Sequence, residues 1–303
     1  MSGRAAGSAS ILLPFAVVTL IWGSTWIVIH DQLGVVPAQW SVAYRFLVAG
    51  VAMAGVAWWR GERWPTDRRG LVFAALLGLF QFCLNFNLVY QAGAFVTSGL
   101  IALVFALILI PNALFARAFL KQRMSGRVLA GSAVAVAGVA LLFVQEARSN
   151  PPGEADRVLI GVALSIAAVV SASITNVMQG SATARDYPMA PMLATAMLLS
   201  AALDAGVALA TVGPPVFDPR PGYLLGILYL GVFASAVAFT LYFRIIRAVG
   251  PAIASYSGMI VPVIAMLLST LFEGYRWTPL AAAGGVLAGA GLVIALSARR
   301  PAR

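Results

Sequence analysis

Apolar residues occur in this chain as long unbroken blocks, without the alternation of a half-buried strand or the single stripe of a soluble helix. Ten such blocks are separated by short polar stretches: 11–30, 39–59, 70–91, 95–117, 127–145, 158–179, 189–212, 222–243, 251–272 and 279–298. A helix rises 1.5 Å per residue, so about 20 apolar residues are needed to cross a hydrocarbon layer roughly 30 Å thick. The pattern therefore predicts ten transmembrane helices, spans one to ten. Arg4 ahead of span one resembles the start of a signal peptide, but the apolar stretch is too long and no small-residue cleavage pattern follows Ile29. Span one is read as a retained helix. The longest interruption runs from Gln145 to Arg157 and contains Asn150-Pro151-Pro152-Gly153, a polar linker near the middle of the chain.

That midpoint divides two similar halves. Phe119, Arg123, Ser125, Gly131, Ala135, Ala137 and Gly138 recur as Phe272, Arg276, Thr278, Gly284, Ala288, Ala290 and Gly291, an offset of 153 residues. Pro111 and Pro262 fall in the corresponding spans four and nine. The reading is a five-helix repeat at 1–148 and a second at 149–303, together one integral domain. Five is odd, so the second half enters the membrane from the opposite face. Such inverted repeats are used by many secondary transporters to build two related gates around one central site.

Composition agrees with the pattern. Hydrophobic residues make up 61% of the 303, charged residues only 10%, and the mean hydropathy is +0.93. Ordinary soluble domains carry about 25% charged residues. Disordered chains, disulfide scaffolds and soluble enzymes are excluded, and lipid is the solvent for most of the surface. The net charge of +10 would suggest nucleic acid in a soluble protein. Here the positions of the charges decide. With the N-terminus inside, only Arg148, Arg157, Arg220 and Arg276 of the 20 basic residues fall outside, and Arg45 lies within a span. The remaining fifteen lie on the inner side, as the positive-inside rule requires. Both termini are predicted to be cytoplasmic, in a bacterial inner membrane, with no nucleic-acid partner. The lone cysteine, Cys83, excludes a disulfide framework and a cysteine metal site.

A polar side chain in hydrocarbon is costly and usually faces the bundle interior or a wet cavity. Span three is the richest. Gln81 and Asn85 are four residues apart on one helix face near mid-depth, and both donate and accept hydrogen bonds without carrying charge. They are candidate contacts for a zwitterionic or amide-like solute, against the alternative of bonding neighbouring helices. Asn87 and Gln91 form a similar pair nearer the outer surface. Trp22 and Trp26 are four apart in span one, and Trp22 lies deeper than an interfacial belt would place it. Trp22 and Phe82 are the candidate aromatic contacts. Asn112 in span four, Asn176 with Ser173 and Gln179 in span six, Ser235 and Tyr242 with Phe239 in span eight, and Ser255, Tyr256 and Ser257 in span nine complete the polar positions. Taken singly, each is explained by packing. Asn112, Asn176, Ser235 and Tyr242 join the candidate substrate-binding set.

Pro111 and Pro262 each remove one helical hydrogen bond, and their matched placement marks paired bending points, either hinges or static kinks. Arg45 and Asp204 are the two full charges within spans. Their similar depth and opposite sign suggest a buried pair, or separate contacts for a carboxylate and an amine. Arg45 has a further alternative, snorkelling to the outer surface. His30-Asp31 reads as a solvated end to span one. Carboxylates are scarce near mid-depth, which favours facilitated diffusion over proton coupling through Asp204 or Glu273. No phosphate-binding Gly-x-x-x-x-Gly-Lys loop, no His-Glu-x-x-His run and no Gly-x-Ser-x-Gly elbow occurs, so no cofactor, metal or enzymatic site is expected.

Three motifs add a family resemblance. Trp22-Gly23-Ser24-Thr25-Trp26 resembles the opening of the drug/metabolite transporter superfamily in its EamA-type branch, and Tyr44-Arg45-Phe46 resembles that branch's second-span pattern. Gly274-Tyr275-Arg276-Trp277-Thr278 resembles its junction before span ten, with Tyr275 in place of the usual acid and Glu273 two positions earlier. Lys121-Gln122-Arg123-Met124-Ser125 lacks that acid too. The resemblance implies ten helices in two inverted halves and export of small metabolites. Within the superfamily the chain is most similar to bacterial amino-acid exporters of the YddG type. The expected function is alternating-access export of small amphipathic metabolites, best suited to amino acids. A proton-coupled exporter of the same superfamily and a non-carrier channel are the alternatives. Small-residue spacings such as Gly285-x-x-x-Gly289 place spans five and ten either at the periphery or in a homodimer face.

Overall fold

A computed structural model describes residues 2–32, 34–121, 126–149, 155–255, 258, 261–272 and 274–296; within them the side chains of 2–12, 146, 147, 149, 155, 253, 292, 295 and 296 are left aside. The linker at Asn150-Pro151-Pro152-Gly153 lies outside the described residues, as do Arg123, Ser125, Tyr256, Ser257 and Glu273. Every regular element among the described residues is helical. Eight helices are long and apolar enough to cross a bilayer, and two shorter apolar helices stand at spans nine and ten.

Span one is Ser2–Asp31 and span two Ala38–Trp59. Spans three and four are Arg68–Ala92 and Ser98–Leu120, and span five is Gly126–Ser149. Span six is Ala155–Gln179, span seven Met189–Thr211 and span eight Pro221–Val249. Span nine comes in two pieces, Pro251–Ala254 and Val261–Phe272, and span ten is Pro279–Leu296. The residue pattern places these ends well because apolar length sets them. Asp67 starts span three by accepting the Gly70 amide at 3.2 Å, an N-cap bond that satisfies one free amide of the first turn.

The packing maps onto itself when the halves are exchanged. Span two lies along span seven, and span five along span ten. Span three touches span seven as span eight touches span two; span three meets span six as span eight meets span one. The five–ten seam shows the symmetry at atomic scale. A Cβ at Gly138 would run into the backbone of Ala288, with Gly284 O at 2.6 Å; one at Gly291 would run into the backbone of Ala135, with Gly131 O at 2.6 Å. The backbones touch, which only glycine allows, and in lipid such close packing is what holds helices together. Rising numbers on span five meet falling numbers on span ten, so these equivalent helices run antiparallel, as inverted halves require. The seam occupies Gly138, Gly284 and Gly291, while a Cβ at Gly289 would meet nothing within 4 Å.

Two departures from plain α-helix also come in pairs. Span three widens to a π-helix over Gly78–Leu84 and span eight over Tyr229–Val237. Each segment holds a glycine pressed on the other half's backbone. A Cβ on Gly78 would lie 2.5 Å from Ala196 O, and one on Gly231 would lie 3.0 Å from Arg45 O. Gly78 and Gly231 again differ by 153. The hydrophobic pattern gave no sign of these widened turns, because i→i+5 bonding changes the twist of a helix without changing how apolar it is.

Pro111 marks a break, one turn before the proline. Span four turns at Leu107–Ile108, where Ile110 N donates to Leu107 O at 2.9 Å. Pro111 has no N–H for that carbonyl, and its ring crowds the residue four back. In span nine the residue four before Pro262 is Gly258, which like Ser255 has 3₁₀ rather than α-helical backbone.

A candidate solute cavity between the halves

The paired devices meet at a cavity. Its room for water centres is about 100 Å³, several times the roughly 10–15 Å³ that one water needs. Spans one, three and four line it together with their equivalents six, eight and nine, and span two adds Arg45. The break in span four exposes Ala106 and Ile108 to it, and Gly258 and Val261 of span nine line it too. Irregular backbone at membrane depth is tolerated where it faces such a space.

Of the residues singled out in the sequence, Trp22, Gln81, Asn85, Asn176 and Tyr242 line this cavity, with Arg45 among them. Gln81 and Asn85 form an amide wall on span three, tied to span six: Thr175 Oγ1 donates to Gln81 Oε1, and Asn85 Nδ2 donates to Ala168 O at 2.7 Å. Much of the remaining lining is aromatic. Trp22 packs against Phe239 and Tyr242 at centroid distances of 5.3 and 4.9 Å, and Phe86 meets Phe239 edge-on at 6.1 Å.

Three candidates sit behind the walls instead. Phe82 is wholly buried between Phe46 and Phe239, at 5.0 and 5.2 Å. As the residue next to Gln81 it points off the face that Gln81 and Asn85 share with the cavity. Ser235 is buried and accepts from Arg45 Nε at 2.9 Å, so it holds the arginine without facing the space. Asn112 is the hub of a buried floor. It accepts from Ser173 Oγ at 2.7 Å and Asn176 Nδ2 at 3.4 Å, and donates to Ser255 Oγ at 2.6 Å and Pro251 O at 3.4 Å. Asn176 Nδ2 also reaches Tyr242 Oη at 3.4 Å. This network joins spans four, six, eight and nine, and each member is satisfied by another, as buried polar groups require.

Spans two and seven are neighbours, yet Arg45 and Asp204 form no pair. Asp204 accepts from Asn87 Nδ2 at 2.7 Å and Ser200 Oγ at 3.0 Å, which satisfies its oxygens away from the cavity. Arg45 is fully buried, so it does not snorkel. Its guanidinium carbon lies 4.2 Å from the centre of the Phe86 ring and 5.5 Å from that of Phe46. Phe86 and Phe105 also line the cavity. Sequence reasoning did not select them, since an apolar ring in an apolar span carries no distinguishing mark.

The Trp22–Trp26 motif has a contact for nearly every residue. Trp22 Nε1 donates to Ala234 O at 3.1 Å, inside the widened segment of span eight. A Cβ on Gly23 would lie 2.8 Å from Ile264 on span nine. Ser24 Oγ and Tyr229 Oη share a 2.6 Å hydrogen bond, and Trp26 stands over Phe105 at 5.4 Å. The opposite half repeats the first contact: Ser171 on span six donates to Phe80 O in the widened segment of span three, at 2.7 Å.

Away from the cavity, the loops after spans two and six meet. Tyr187 Oη donates to Asp67 Oδ2 at 2.7 Å, and Arg69 lies 3.1 Å from Asp186. The Tyr187 hydroxyl, with the Gly70 and Arg69 amides, holds the Asp67 carboxyl below the usual carboxylate range, and the same bond raises the phenol.

Two inverted helical halves around a polar-and-aromatic cavity define an integral membrane transporter. The chain belongs to the EamA-like transporter family, whose pattern it matches twice, at residues 9–144 and 159–297. This is a family of transporters and not of enzymes. The uncharacterized inner membrane transporter YedA of Escherichia coli K12 is 31% identical over 258 residues, covering 84% of this chain and 80% of that one. PagO of Salmonella typhimurium is 26% identical, with 88% and 86% covered. A probable terminal-alkyne amino-acid exporter of Streptantibioticus cattleyicolor is 29% identical, with 82% and 81% covered. A crystal structure with a TM-score of 0.71 covers 95% of this chain and 96% of its own at 21% identity, which speaks to the fold alone.

Proposed function

We propose that this protein exports small amphipathic metabolites, amino acids above all, by alternating access around the central cavity, in the manner of the YddG-type exporters it resembles. The observation that carries this reading is the pairing of an amide wall, Gln81 and Asn85, with an aromatic wall, Trp22, Phe239 and Tyr242, across one space. Amides bond a solute's polar groups, and rings hold its apolar part. The exporter named among the relatives supports the substrate class. Pro111 and Pro262 serve in this reading as the bending points of two opposed gates, and the Asn112 network is the closed floor beneath the solute. The halves divide at 1–148 and 149–303, both termini face the cytoplasm of a bacterial inner membrane, and any homodimer uses the outward Gly285 and Gly289 faces of span ten.

Transport is facilitative in this reading, since no acidic residue is among the described residues lining the cavity. Proton coupling is the second reading, favoured by the buried Asp204 and its hydrogen bonds to Asn87 and Ser200. The test is uptake of an amino-acid panel into liposomes, with and without a pH gradient. Saturable uptake with exchange between solutes, lost in Gln81→Ala and Asn85→Ala proteins that fold normally, is the expected result. Uptake unchanged in both variants would sink the site. Accumulation driven by the pH gradient would select the second reading.

A further inference from the structure

The cavity lining is unbalanced in both charge and hydrogen bonding. Its one charged residue is Arg45, and no Asp or Glu is among the lining residues. Three buried side-chain polar atoms of the lining have no partner among the described residues: Arg45 Nη1, Arg45 Nη2 and Trp26 Nε1. All three are donors. The arginine is fixed from behind, because its Nε donates to Ser235 and its plane lies over Phe86. Tyr90 stands beside it, donating its hydroxyl to Gln32 Oε1 at 2.9 Å; its oxygen can accept from one guanidinium N–H at most, which leaves the rest of the fork open. An unpaired guanidinium buried in protein carries a large desolvation cost, which an incoming anion relieves. The two free nitrogens form the planar fork that matches a carboxylate.

Among the described lining residues no carboxylate waits for an ammonium group. Asp204 is a buried acid near this depth, and both its oxygens are engaged by Asn87 and Ser200 outside the lining. Arg45 also has no counterpart in the other half, where the equivalent backbone contact is made by Ala196. We propose that Arg45 anchors a carboxylate of the transported solute while the cavity ignores its amine. The substrate class is then apolar and aromatic monocarboxylates, amino acids being those members that happen to carry an α-amino group. The proposal rests on the reading of this cavity as the solute site.

The test uses three probes of one shape: phenylalanine, 3-phenylpropionate, which lacks the amine, and phenethylamine, which lacks the carboxylate. Each competes for saturable uptake by the purified protein in liposomes. 3-Phenylpropionate should compete within about three-fold of phenylalanine, and phenethylamine roughly a hundred-fold more weakly, the effect of two charge-assisted hydrogen bonds. Arg45→Gln should bring the three probes close together, and Arg45→Lys should keep part of the discrimination. Competition by phenethylamine equal to that of 3-phenylpropionate overturns the proposal in the wild-type protein, whether or not the variants fold. Failure of 3-phenylpropionate to compete overturns it too. If Gln81→Ala and Asn85→Ala impair uptake while Arg45→Gln still discriminates, only the arginine assignment falls. If all the lining variants transport normally, the cavity reading falls with it.

Discussion

Spans three and eight follow the same path and do different chemistry. Both widen over one segment, both press a glycine on the opposite half, and both take a side-chain hydrogen bond at a carbonyl of the widened segment. At an offset of 153, Gly78 equals Gly231 and Phe86 equals Phe239. Gln81 and Asn85, however, correspond to Ala234 and Ala238. Backbone devices are kept in both halves because they make the halves fit. Side chains facing the cavity are free to differ, since a two-fold cavity meets a solute that has no two-fold symmetry.

The largest effect expected from breaking this correspondence lies at the five–ten seam. Gly138→Leu and Gly291→Leu should each cost at least about 3 kcal/mol, since backbone rather than a movable side chain fills the space. Thermal unfolding in detergent checks it, and equal losses from the two variants would sharpen the two-fold relation. Next in size is an attempt to make the walls alike. Ala238→Asn on span eight should cost about 1–3 kcal/mol, because Ala238 is wholly buried and the extra atoms have no room. A stable Ala238→Asn protein with unchanged transport would mean that the walls are interchangeable. Gln81→Ala removes one hydrogen bond to a solute and should weaken its apparent affinity about ten-fold in competition uptake. Trp22→Phe keeps the ring contacts and removes the bond to Ala234 O, worth about 0.6 kcal/mol between membrane helices.

The smallest effect concerns the tie between the loops. The Asp67 carboxyl is held below its ordinary range by Tyr187, so the bond stabilises the fold above the usual carboxylate pKa of about 3.9. It fades as the pH falls through the lower folded value. Tyr187→Phe should therefore shift the melting temperature slightly at neutral pH and leave it unchanged against wild type in strong acid.

Much of this was legible from the chain alone, for identifiable reasons. Spans one to eight, span four with its break, have ends that agree with the apolar blocks to within a few residues, apart from the early start of span one at Ser2 and the basic extension of span eight to Val249. The repeat was visible because the seam admits only glycine and alanine at fixed spacing. Gln81, Asn85 and Asn176 were visible as cavity candidates because a polar group in lipid needs a reason. Ser235 and Asn112 carried the same signal, and Phe82 was picked for its ring; all three stand one layer back, since residue type does not reveal which way a side chain turns in the packed bundle.

The sequence by itself determined the membrane, the helical class, the recurrence of one pattern in the chain and the break before Pro111, because these follow from local hydropathy, glycine and proline. Tertiary structure alone decided which polar residues share one space, that Arg45 and Asp204 stand apart though their helices touch, and that the arginine is left with open donors. Those outcomes depend on how helices distant in the chain are rotated about their axes. In lipid that rotation is settled by backbone contact and interhelical hydrogen bonds between the halves, which no stretch of sequence contains.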